Sequence, residues 1–140
     1  MKKLALIALI AAAILFLSAC IQDPFEEYEN FVNDLDISAR IEDAINSASQ
    51  GDTSPFFVGE VQTLYEDLGT FAQQDESAHI INEHYSSTVQ LVLDAINARE
   101  SGDAEQSRRL LDRAQDTYRD AQNLYEQFLV HYNHNNARQQ

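Results

Sequence analysis

The chain has one cysteine, Cys20, and its only lysines are Lys2 and Lys3. Glycine and proline are nearly as scarce, with four of the first and two of the second. Each shortage excludes a chemistry. A lone cysteine makes no intrachain disulfide, so the fold must hold by packing alone. Without lysine beyond position 3 there is no amine for Schiff-base catalysis, and four scattered glycines build no phosphate-cradling loop. The longest apolar run, Leu4 to Leu17, is 14 residues, short of the roughly 20 that cross a bilayer core. Strand signals are missing too, since no stretch alternates for long and no Asn-Gly or Asp-Gly hairpin turn occurs.

What is abundant is negative charge. Beyond position 20 stand seven arginines against 23 Asp and Glu, a formal charge of −16. Nucleic acid is excluded as a partner, because phosphates are neutralised by basic stripes and this surface has the opposite sign. The nearest basic cluster, Arg108, Arg109 and Arg113, is interleaved with Glu105, Asp112 and Asp116 and reads as paired charges on a solvated helix face. Arginine without lysine is a surface that keeps its charge in an alkaline medium, where an ammonium titrates and a guanidinium does not. Genome composition is the plainer source of the same bias.

At the amino terminus, Lys2 and Lys3 precede the apolar run, and Leu17-Ser18-Ala19-Cys20 follows it. This order resembles the signal peptide and lipobox of bacterial lipoproteins. The resemblance implies cleavage before Cys20, a covalent diacylglycerol on its sulfur, and residues 21 to 140 held outside the cytoplasmic membrane. An uncleaved anchor is the alternative, and the shortness of the run counts against it. Residues 1–19 are then the signal peptide, Cys20 the first mature residue, 21–133 one acidic helical domain and 134–140 a flexible polar tail.

The mature part reads as four helices. Asp23-Pro24 starts the first, with Asp23 as cap, Pro24 at the first helical position and Glu26 completing a capping box. Three residues of tether reach only about 10 Å, which keeps the domain close to the lipid headgroups. This helix runs from 24 to about 50, and its apolar positions change phase around Asp34-Leu35-Asp36, where a bend or short break is expected. Gly51 closes it. Ser54-Pro55 repeats the start signal, and Phe57, Val61, Leu64, Leu68 and Phe71 form one stripe on a helix from about 55 to 73. Gly59 and Gly69 in that helix suggest close helix approach. Asp75 caps a third helix, about 76 to 101, which is apolar around most of its circumference between Val89 and Ile96. Ser101-Gly102-Asp103 closes it and opens the fourth, about 104 to 133, with Asp103 and Gln106 as a capping box. Short polar turns between amphipathic helices predict an all-α, antiparallel up-down four-helix bundle. No period near 34 residues recurs, which argues against a repeat solenoid.

Four constellations could carry chemistry. Tyr118, Tyr125 and Tyr132 stand seven apart, a seam that either packs in the core or lines a groove for a ligand. His131 and His134 are three apart, the spacing at which two imidazoles share a metal, but they have no carboxylate nearby in sequence. Glu76 and His79 match the Glu-x-x-His element of di-iron helical bundles, without the second copy that such a site needs. Ser87 and His84 could touch, yet no third group is indicated. The reading is therefore non-enzymatic, with no cofactor beyond the lipid. The whole resembles the small helical-bundle lipoproteins of bacterial cell envelopes, which implies a membrane-tethered module that engages an envelope protein or wall component. The alternative is a lipoprotein binding a small ligand or cation in the bundle interior or on the acidic surface.

Overall fold

The computed structural model describes residues 24–71 and 75–137, and all regular structure among them is helical. The helices are α1 (Pro24–Asp34), α2 (Ile37–Gln50), α3 (Pro55–Thr70), α4 (Glu76–Glu100) and α5 (Ala104–Ala137). The signal peptide, the Leu17-Ser18-Ala19-Cys20 motif and the Asp23 cap lie outside the described residues, as does the end of the tail.

The sequence pattern counts one helix from 24 to about 50, and the structure divides it in two. Leu35 and Asp36 form the break, and Asp36 takes a left-handed backbone with φ of 49°. Aspartate is among the few residues that enter this region at tolerable cost. The break resets the phase of the apolar face. Phe25, Tyr28 and Val32 are buried before it, and Ile37, Ile41, Ala44, Ile45 and Ala48 after it. One uninterrupted helix could not turn both sets inward.

The remaining boundaries follow local chemistry. Gly51 has φ of 93°, and the paired bonds Gly51 N–H to Ala48 O and Asp52 N–H to Ser47 O close α2 in a Schellman turn. Gly102, with φ of 86°, repeats it through the Arg99 and Ala98 carbonyls. Ser54 and Asp75 accept backbone N–H bonds from the first turns of α3 and α4. Asp103 caps α5 by accepting from Gln106 N–H at 2.9 Å. The expected capping box is incomplete there, because the Asp103 N–H is already committed to the Ala98 carbonyl and the Gln106 side chain accepts from Arg109 instead. α3 ends at Thr70, short of the expected 73. Its Leu68 carbonyl is taken by the Asn82 amide of α4 at 2.9 Å, which satisfies one of the last-turn acceptors from outside the helix. α5 continues through Ala137, past the expected end at 133. Asn133, Asn135 and Asn136 are poor helix formers, but adding a residue to an existing helix costs far less than starting one.

α4 is the hub, touching α1, α2, α3 and α5, whereas α3 and α5 do not approach each other. That agrees with its apolar circumference. α5 folds back along α4, and Ser107, Ala114 and Ala121, seven apart and buried, keep its surface low enough for close packing. All five helices contribute to a single core.

Gly59 and Gly69 do not mark close approach. A Cβ at either would meet nothing within 4 Å, so both expose open helix surface. Gly59→Ala should therefore stabilise the protein by about 1 kcal/mol through helix propensity alone, a gain readable in the urea midpoint. A loss would mean that something does pack against Gly59.

Candidate functional site

The tyrosine seam is brought together as internal packing. α5 turns it toward α1 and α2. The Phe25 ring lies 6.5 Å from Tyr125, 6.3 Å from Phe128 and 5.2 Å from Tyr132. These contacts anchor the start of α1 on the distal half of α5. Further along α1, Tyr28 and Phe31 pack on Phe71 at 5.1 and 4.8 Å, so Phe71 fills the role its stripe predicts although the helix has ended. Tyr118 adds a polar handle. Its hydroxyl donates toward Glu42 Oε1 at 2.9 Å and the Ser38 carbonyl at 3.1 Å, and accepts from Gln122 Nε2 at 2.9 Å. This network ties α5 to α2, and nothing in the spacing announced Ser38, Glu42 or Gln122.

Inside this junction Tyr28 and Tyr85 are fully buried, and neither hydroxyl has a hydrogen-bond partner among the described residues; Asn82 Oδ1 is likewise without one. Burial pushes both phenols above the ordinary tyrosine pKa, Tyr28 the further of the two; for Tyr28 the nearby Tyr85 and Tyr125 add to it. At Tyr85 the neighbouring Ser38 side chain opposes the shift in part. Tyr118 is raised by burial, then by its bond to the Glu42 carboxylate and that group's charge. Tyr125 is pushed up to about 12 by burial and then by Glu29. These rings are packing mass of the junction, and Tyr118 is in addition a hydrogen-bonding group.

The histidines stay apart from this junction. His131 is exposed, and the side chain of His134 lies outside the described residues. Glu76 and His79 are both exposed rather than facing the interior, and His79 Nε2 lies 3.2 Å from Glu83 Oε1 in an i,i+4 pair. Among the described residues, no three His, Cys, Asp or Glu side chains converge in a way that could hold a metal ion. No helix there is long and apolar enough to cross a membrane.

Two of the surface grooves are larger than the shallow one beside His131. One, roughly 890 Å³, is walled by α3 and α5, with α4 residues Asn82, His84, Ser87 and Gln90 beneath. It brings His84 and Ser87 into one lining, but no hydrogen bond between their side chains is present. The other, roughly 700 Å³, lies between α2 and α3, over Ala44, Phe57, Val61 and Leu64 and beside Phe56. Both follow from the same fact of packing, that α3 is held mainly by α4 and splays from α2 and α5. Sequence reasoning missed the second groove. Its signal was the pair Phe56-Phe57, because adjacent helical positions point about 100° apart and only one can face the core. No family model matches the chain, and no curated protein or solved structure is significantly similar to it.

Proposed function

We propose that this protein is a membrane-tethered extracytoplasmic lipoprotein whose helical domain is a non-catalytic interaction module of the cell envelope. The observation that carries the reading is Leu17-Ser18-Ala19-Cys20 behind Lys2-Lys3 and a 14-residue apolar run. Two acyl chains on one cysteine suffice for stable anchoring where one does not. α1 begins at Pro24, four residues after the proposed lipid, so the domain stands at the headgroups. Glu26 and Glu27 in its first turn are repelled by an anionic bilayer, so α1 stays near the headgroups without lying flat on them as a surface-bound amphipathic helix would. In this reading α1 and α2 together occupy one position of an up-down four-helix bundle, with α3, α4 and α5 as the other three.

Intact-mass spectrometry of the protein extracted from its own membranes tests the proposal. Wild type should lack residues 1–19 and carry the added mass of a diacylglycerol, and Cys20→Ala should retain residues 1–19 without lipid. An unmodified thiol at Cys20, or wild type recovered free in the soluble fraction, would sink it.

A further inference from the structure

The surface between α2 and α3 combines an exposed aromatic side chain, a buried apolar floor and an acidic rim. Phe56 is 76 % exposed, the most exposed large apolar side chain there. It stands beside a floor of Ala44, Phe57, Val61 and Leu64, all buried. Gly59 lies in the same lining, and since a Cβ there would meet nothing within 4 Å, the wall is cut away at mid-groove. The rim is acidic. Asp43 and Glu60 line it and have no ion-pair partner among the described residues, while Arg40, the only cation in the lining, is already bound to Asp67 at 2.8 Å. The groove is therefore apolar at its floor and uncompensated in negative charge at its edges.

From this we infer that the α2–α3 groove is the docking site for a cationic amphipathic helical segment of a partner protein. The inference deepens the interaction-module reading by naming the face and the chemistry of its partner. A helix lays apolar residues at i, i+3 or i+4 and i+7 into such a groove. Pro55 to Leu64 spans about 14 Å, room for two to three turns. Lysine or arginine on the flanks of that segment would meet Asp43 and Glu60. The charge also excludes two other occupants: a second copy of this chain brings acidic rim to acidic rim, and an anionic lipid surface is repelled in the same way.

The test uses the full chain in nonionic micelles, with protein-free micelles as blank. The probe is a fluorescent peptide of about 18 residues, built from leucine, alanine and lysine in amphipathic helical order and followed by anisotropy at about 0.15 M salt. Phe56→Ser and Gly59→Gln alter the apolar seat at positions that pack against little, so helix content and melting serve as the check that folding is intact. The pair Asp43→Asn, Glu60→Gln removes two rim charges, and Asp112→Asn, Asp116→Asn removes two exposed charges on α5 as control. Each groove variant should weaken binding about tenfold, and the control by less than about twofold. Failure of the probe to bind wild type, or equal losses in groove and control variants, would overturn the inference. Neither result touches the lipidation of Cys20, which the mass measurement decides separately.

Discussion

Raising the pH through 10 to 12 should unfold this protein in one cooperative step, with phenol ionisation and loss of helix rising together. Tyr28 and Tyr85 are fully buried and their pKa values are raised above the ordinary value near 10. The direction of the linkage follows. Below pH 10 both folded and unfolded chains keep the phenolic protons, and stability is unaffected. Above it the unfolded chain releases them while the folded chain cannot, so each of these two residues removes about 1.4 kcal/mol per pH unit until its folded pKa is reached. For Tyr28 this amounts to about 2.7 kcal/mol by pH 12, a sizeable part of the about 5–15 kcal/mol that a domain of this kind has in total, and Tyr85 adds to it in the same direction. Tyr118 and Tyr125 act in the same direction. The transition is cleanly assigned because lysine occurs only at positions 2 and 3 and arginine does not titrate in this range. Circular dichroism and phenolate absorbance recorded on the same titration decide the matter; phenols that all ionise near pH 10 with helix content unchanged would refute it.

Tyr85→Ala should cost about 3–5 kcal/mol, by analogy with removing a buried phenylalanine ring, and leave a marginal or unfolded protein. The ring sits on α4, the helix every other helix touches, 6.2 Å from the Tyr118 ring of α5. Deleting it opens a cavity where at least two helices meet. Tyr85→Phe separates ring from hydroxyl. Because the hydroxyl has no partner among the described residues, its burial is a cost of about 1–3 kcal/mol, and the phenylalanine variant should be as stable as wild type or more so. It should also lose the part of the alkaline destabilisation that Tyr85 contributes, leaving that of Tyr28. Urea unfolding of both variants gives the comparison. If phenylalanine is destabilising by as much as alanine, the hydroxyl is doing structural work through a bond not accounted for.

Much of the fold was legible because it rests on local chemistry. Pro24 and Pro55 at helix starts, Ser54, Asp75 and Asp103 as caps, and Gly51 and Gly102 as left-handed closures each act within four residues of themselves. The phase change at Asp34-Leu35-Asp36 was visible for the same reason, since 3.6-residue periodicity is a property of one segment. The seven-residue spacing of Tyr118, Tyr125 and Tyr132 correctly placed them on one face, but spacing alone could not say whether that face met solvent or Phe25.

By itself, then, the sequence determined the helical class, most helix starts, the inward faces, the acidic charge and the motif that leads into Cys20, but not where α3 and α5 end. Only the tertiary structure decided that α4 would be the hub, that Asn82 would reach across to the Leu68 carbonyl, that Gly59 and Gly69 would face open space and that Phe56 would border a groove. The division has a physical cause. Caps and periodicity are fixed by bonds between near neighbours in the chain. Which helices touch, and which splay apart, depends on filling one shared volume with side chains from five segments at once.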